Sequence, residues 1–234
     1  MSVYTRDGKE VIWVVGCPKS GNTWLTRLVA EALNSRSGDS SEASLPPSAE
    51  GFDRPGKYYI FHEHLMKRRY VPQENKIIFI IRDLRDVIVS AKYYWKLDTI
   101  DSSITKIARR WKKTNEYWLN EDAATSYVRY EQLIDNTEFH LNRVLNEIGI
   151  VPAKDLGEVV ANQEFHAKRK YIEKHGHTMP FGLTGQRGML RKGIVGDWRN
   201  HFSKENAKRV HDEFYDMLNS LGYENDPEWW EKVT

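Results

Sequence analysis

Cysteine occurs once, at Cys17, which excludes an internal disulfide and every multi-cysteine zinc arrangement. Long hydrophobic runs are missing as well. The longest, Val11–Val15 and Ile77–Ile81, fall far short of the roughly 18 residues a membrane helix needs. Net charge is small, with 35 Lys and Arg against 33 Asp and Glu, so neither a nucleic acid nor a membrane surface is the expected partner. The first residues carry no apolar signal core, and no Asn-x-Ser/Thr acceptor occurs anywhere, so the expected compartment is the cytoplasm. What is present is an ordinary globular composition, 40% hydrophobic and 29% charged. A chain of 234 residues buries a sizeable core without staples, and residues 1–234 read as one domain.

Short apolar runs alternate with helical periodicity, which predicts an α/β fold: a central parallel sheet flanked by helices, with a phosphate-binding loop after the first strand. Val11–Val15 is continuous and rich in β-branched residues, as a parallel strand buried on both faces should be. Further strands are expected at Tyr58–Phe61, Ile77–Ile81 and Ser126–Val128. Helical spacing follows Gly21, follows Ile81, and returns around Ile104–Trp118, Leu133–Ile148, Lys154–Phe165 and Val210–Leu221. The stretch Ser35–Gly56, rich in Ser, Gly and Pro, reads as a mobile loop. Lys168–Phe202 shows no clear period.

Strand, then Gly16-Cys17-Pro18-Lys19-Ser20-Gly21-Asn22-Thr23-Trp24, then helix, is the layout of a phosphate cradle. Backbone N–H groups at a helix start point at an anion, and the helix dipole favours negative charge there. Asn22 and Thr23 add side-chain donors and Lys19 a point charge. The spacing from Gly16 to Gly21 suits a nucleoside-triphosphate loop, but Asn22 stands where that loop has its lysine, and Lys19 lies three residues earlier. A plain strand–turn–helix connection with an incidental lysine is the structural alternative.

The segment Cys-Pro-Lys-Ser-Gly-Asn-Thr-Trp resembles the phosphosulfate-binding loop of the cytosolic-type sulfotransferases, Pro-Lys-Ser-Gly-Thr-Thr-Trp. Arg82-Asp83-Leu84-Arg85-Asp86-Val87-Ile88-Val89-Ser90 resembles the family's Arg-Asn-Pro-Lys-Asp-Val-x-x-Ser, directly after a strand. Arg191-Lys192-Gly193-Ile194-Val195-Gly196-Asp197-Trp198 resembles its Arg-Lys-Gly-x-x-Gly-Asp-Trp. The three segments come in the family's order, and the resemblance runs from about Val11 to Leu221.

The resemblance implies an enzyme that transfers a sulfuryl group from 3′-phosphoadenosine-5′-phosphosulfate to a hydroxyl or amine of a small-molecule acceptor, with no metal. It implies that Lys19 contacts the bridging oxygen while Ser20, Gly21, Asn22 and Thr23 hold the 5′-phosphate. Arg82 and Ser90 would take the 3′-phosphate, with Arg191, Lys192 and Gly193 closing on it. Trp24, Tyr130 and Phe165 would surround the adenine. The general base is a histidine in Phe61-His62-Glu63-His64-Leu65: one alignment makes it His64, and a shift of two residues makes it His62. Without the resemblance, Arg82 reads as a salt-bridge partner of Asp83 or Asp86, Ser90 as a solvated hydroxyl, Arg191-Lys192 as a basic loop, and the three aromatics as core. His-x-His on a strand also fits metal ligation, and His175 and His177 repeat the spacing, but no further ligand is evident.

Two other function classes remain: a nucleotide-dependent kinase on the same unit, whose nearest magnesium ligand is Asp83, and a catalytically idle nucleotide-binding module. The acceptor pocket is expected from Ser35–Gly56, Tyr93–Trp118 and Tyr171–Met189, whose Tyr and Trp content favours an apolar body. The family's dimer stretch is not matched: Arg199, Ser203, Lys204 and Lys208 occupy its positions, with the terminal charge reversed.

Overall fold

The computed structural model describes residues 5–6, 8–39, 56–64, 74–120, 123–163 and 193–233. Its sheet has the order β3-β4-β2-β5-β6, formed by Arg36–Asp39, Tyr58–Glu63, Lys9–Val15, Ile77–Ile81 and Ser126–Arg129, all parallel. A two-residue strand, β1 (Thr5–Arg6), adds antiparallel to the start of β2, so the phosphate loop follows the second strand in the chain. Seven helices are described: α1 (Asn22–Ala32), α2 (Leu84–Tyr94), α3 (Ile100–Asn120), α4 (Tyr130–Asp135), α5 (Thr137–Glu147), α6 (Leu156–Gln163) and α7 (Lys204–Ser220). None of the helices among the described residues is long and apolar enough to cross a membrane.

The strands bury both faces, which is why they read as continuous apolar runs rather than alternating ones. Ile12, Val14, Ile60, Ile78 and Ile80 pack with Leu25, Leu28 and Val29 of α1 and with Leu141, Val144 and Leu145 of α5. On the opposite face Trp13, Tyr59, Ile77 and Phe79 pack with Trp118 of α3. A third cluster joins Val87 and Ile88 of α2, Trp111 of α3, Val210 and Phe214 of α7, Trp198 and Trp229.

The chain runs from β2 to β3 and β4 on one side, then crosses to β5 and β6 on the other. Ligands of open α/β sheets bind outside the carboxyl ends of the strands at such a reversal. The loop after β2 lies there.

Two sequence expectations change. Part of the expected loop Ser35–Gly56 is strand β3, whose residues Arg36-Ser37-Gly38-Asp39 bond to β4 through their backbones and so need no apolar signature. Residues 40–55 lie outside the described residues. The single helical stretch expected over Leu133–Ile148 is two helices, because Asn136, at φ −146°, ends α4 and caps α5 by accepting from the Phe139 N–H.

Candidate active site

The loop of residues 16–21 turns because two residues are left-handed and a third packs too closely for a side chain. Gly21 (φ 101°) is the left-handed residue before α1, and a Cβ there would stand 2.7 Å from Cδ2 of Tyr130. At Gly16 a Cβ would stand 2.5 Å from the carbonyl oxygen of Ile80. Lys19 is left-handed without being glycine, φ 73°, a conformation that clusters at functional sites.

The first turn of α1 has no side-chain cap, so its leading amides lack a side-chain acceptor. Ser20 Oγ is buried and has no hydrogen-bond partner among the described residues. Asn22 behaves differently from the expected phosphate donor. Its side chain is buried and Nδ2 donates to the Gly16 carbonyl at 3.2 Å, which closes the loop and leaves the backbone N–H as its route to an anion.

Two cations converge on this loop. Arg82, at the end of β5, donates from Nη1 to the Lys19 carbonyl and from Nη2 to the Ile194 carbonyl, both at 3.3 Å, and its Nε is buried without a partner. The guanidinium carbon lies 4.1 Å from the ring centroid of Tyr130, whose edge meets Trp24 at 5.7 Å. Lys19 Nζ sits 3.5 Å from the centroid of Tyr94. Burial, and then the charge of Arg82, push the Lys19 ammonium down to about 8.

Asp86, Ser90 and Tyr94 lie four residues apart along α2 and share its face toward the loop, with half-buried Ser90 between the other two. The expected pairing of Arg82 with Asp86 exists but is loose, at 3.9 Å. Asp83 is committed elsewhere: it caps α2 by accepting from the Arg85 N–H and forms a two-oxygen ion pair with the Arg85 guanidinium. That leaves it poorly placed for magnesium.

His62 is buried in β4, and His64 follows the strand, with the two rings 5.7 Å apart. His64 Nδ1 lies 3.2 Å from the Gly16 carbonyl oxygen. A carbonyl only accepts, so Nδ1 carries the proton and Nε2 keeps its lone pair. Burial, then the His62, Arg110 and Lys19 charges, push His64 down to about 4, against the opposing pull of the Gly16 bond. Metal ligation by His62 and His64 finds no third ligand among the described residues. His175 and His177 lie outside them.

Three groups have contacts here that the sequence did not single out, although Asp86 was weighed as a partner of Arg82 and Tyr94 and Arg110 fall within the expected pocket stretch Tyr93–Trp118. Asp86 accepts from the Gly196 N–H at 2.7 Å and the Trp198 N–H at 3.0 Å, and so pins the C-terminal segment over the site. Tyr94 underlies Lys19. Arg110 of α3 donates to the His64 carbonyl at 2.7 Å. Gly193 is described, at φ 67°, whereas Phe165, Arg191 and Lys192 lie outside the described residues.

Comparison with known proteins places the fold and the family. Human sulfotransferase 2B1 is 26% identical over 226 residues, covering 82% of this chain and 61% of its own length. The chain thus spans less than two thirds of that relative. Human sulfotransferase 2A1 is 21% identical, covering 95% of this chain and 88% of its own. Among solved structures, mouse sulfotransferase SULT7A1 complexed with PAP superposes with a TM-score of 0.68 at 18% identity, over 99% of this chain and 91% of that one. Retinol dehydratase in a complex with retinol and PAP gives 0.64 at 15% identity, over 89% and 81%. The sulfotransferase domain family matches residues 57–222, which hold strands β4 to β6 and all of α2 to α7, and the chain belongs to that family.

Proposed function

We propose that this protein transfers a sulfuryl group from 3′-phosphoadenosine-5′-phosphosulfate to a hydroxyl of a small-molecule acceptor, with His64 as general base. The observation that carries the reading is the convergence of Lys19, Arg82 and the uncapped start of α1 on one loop where Ser20 Oγ and Arg82 Nε are buried without partners among the described residues. Buried donors left unsatisfied cost free energy, and an anion with several oxygens supplies what they lack. The donor fits these residues.

Ser20, Gly21, Thr23 and the Asn22 backbone would hold the 5′-phosphate at the helix start. Arg82 and Ser90 would hold the 3′-phosphate, with Gly193 and its neighbours Arg191 and Lys192 closing over it. Trp24, Tyr130 and Phe165 would bound the adenine. Sulfuryl transfer is an in-line displacement at sulfur, so the protein contributes mainly position and charge, as in phosphoryl transfer. Lys19 faces the leaving oxygen and neutralises charge as it develops. His64 Nε2 takes the acceptor proton while Nδ1–H stays on the Gly16 carbonyl. His62 beside it shapes the pocket.

A relative from Cavia porcellus, 24% identical over 231 residues, is named a 3-beta-hydroxysteroid sulfotransferase, which supports a hydroxyl on an apolar body as the acceptor. We assign the protein to the cytoplasm from its single cysteine and to one domain from its continuous sheet.

The test is thermal. The product nucleotide 3′-phosphoadenosine-5′-phosphate at a hundredfold excess over its Kd stabilises by about 2.7 kcal/mol, roughly 5–10 °C for a domain of this size. AMP and ATP with magnesium should do little. Stabilisation by ATP–magnesium and none by the bisphosphate would transfer the case to a kinase. Bisphosphate binding without transfer to any hydroxyl would leave the idle nucleotide-binding module.

A further inference from the structure

The wall opposite the loop is formed by the end of α2 and one stripe of α3, and that stripe is cationic. Lys106, Arg110, Lys113 and Tyr117 fall at i, i+4, i+7 and i+11, so they share one face of the helix. The contacts orient it. Tyr117 packs on the cluster that includes Phe61 of β4, Arg110 reaches the His64 carbonyl, and Lys106 Nζ lies 5.0 Å over the ring of Trp95, next to Tyr94. The stripe therefore runs along β4 toward its carboxyl end and passes the histidine that takes the proton.

The basic residues of α3 differ in their pairing. Arg109, which borders the stripe, and Lys112 are already engaged, lying 4.0 Å from Glu213 and 3.8 Å from Glu116. Among the described residues Lys106 and Arg110 have no ion pair at all, and Glu63 at the end of β4 makes none with Arg110. A guanidinium has five donors in a fixed fork. The His64 carbonyl takes one, and Arg110 is exposed, so the remaining donors are open to a ligand.

We propose that Arg110 recognises an anionic group on the acceptor, so that this protein prefers hydroxyl compounds that also carry a negative charge such as a carboxylate. The inference rests on the reading of this site as a sulfuryl-transfer centre. A guanidinium and a carboxylate match in two parallel hydrogen bonds, which orients the acceptor as well as attracting it. The pairing also serves the chemistry. Arg110 is one of the cations that oppose protonation of His64, and a carboxylate on Arg110 offsets that charge while the acceptor proton moves to Nε2. Lys106 extends the same sign outward and steers anions to the mouth.

The experiment compares three phenols that share a para-substituted ring and carry a negative, a neutral and a positive side chain: 4-hydroxyphenylacetate, its methyl ester and tyramine. In the native protein kcat/KM for the carboxylate should exceed that for either of the others by about tenfold, the worth of one charge-assisted contact. Arg110→Ala should bring the three within about threefold, and Arg110→Glu should place tyramine first. Arg109→Ala, which removes the same charge from the neighbouring position that pairs with Glu213, should leave the native ranking intact. An unchanged ranking in Arg110→Ala, an equal shift in Arg109→Ala, or no turnover of any of the three by a protein that still binds the bisphosphate would each overturn the proposal. Failure of the bisphosphate to bind would instead remove the sulfuryl-transfer reading beneath it.

Discussion

The His64 ring is tied to the phosphate loop itself, Nδ1 lying 3.2 Å from the carbonyl oxygen of Gly16. This bond fixes the tautomer and aims the basic nitrogen, Nε2, away from the protein backbone. His64→Ala should therefore lose about 10²–10⁴ in kcat, with bisphosphate affinity near normal, and His62→Ala should lose less. Steady-state rates beside a thermal-shift titration read both. A larger loss at His62 would exchange the two roles.

The same histidine sets the pH response. An unperturbed imidazole loses its lone pair near pH 6.5, but burial pushes His64 down to about 4. Turnover should hold well below pH 6.5 before the acid limb appears. The negative donor raises the value somewhat in the complex. Stability follows by linkage: between pH 6.5 and 4 the unfolded chain binds a proton the folded one refuses, so the free protein loses about 3 kcal/mol over that window. Urea unfolding of the native protein and of His64→Gln across these pH values should show the loss in the former and a reduced loss in the latter.

Lys19 should respond at the other end of the scale. Its ammonium, pushed down to about 8, loses its proton above that pH in the free protein, whereas a bound anion holds the proton on. Bisphosphate affinity should fall as pH rises past 8, and Lys19→Met should flatten that dependence. Turnover in Lys19→Met should fall much further than affinity, since the lysine's contact strengthens as charge builds on the leaving oxygen. Normal turnover in this variant would remove Lys19 from the mechanism.

Arg82 should separate the two phosphates. Arg82→Ala should weaken the bisphosphate by about 10- to 100-fold, the range for hydrogen bonds to a charged group, and leave AMP almost unchanged. Calorimetric titration of both nucleotides measures the split. Because Nη1 also holds the Lys19 carbonyl, turnover should fall in this variant too.

Asp86 should act through the segment it pins. Asp86→Ala leaves the buried N–H of Trp198 and that of Gly196 without acceptors, at a cost of about 2–5 kcal/mol in urea unfolding. Asp86→Asn, which keeps one acceptor oxygen, should fall between. Equal stability of all three proteins would mean that the segment is held by other contacts.

The strands at Val11–Val15 and Ile77–Ile81 were legible because a parallel strand covered on both faces must be apolar at every position, and a run of five such residues has few other uses. The phosphate loop was legible for a related reason. A turn in which a Cβ would stand within 3 Å of Ile80 and Tyr130 requires glycine at residues 16 and 21, so the geometry is written in residue type. Strand β3 was not legible, since its pairing is entirely backbone and Arg-Ser-Gly-Asp carries no mark of it.

The sequence by itself determined which chemistry was on hand: a loop lysine, an arginine after a strand, two histidines two residues apart. It left the choice between those histidines open, because residues two apart on a strand face the same way. Only the tertiary structure decided what each group touches. Gly16 and His64 are 48 residues apart in the chain and share a hydrogen bond. Asp86 and Gly196 are 110 apart and share another. The physical reason is the parallel sheet itself. It gathers the carboxyl ends of strands separated by helices along the chain into one edge, so the partners of every polar group there come from distant segments, and no local pattern of residues records them.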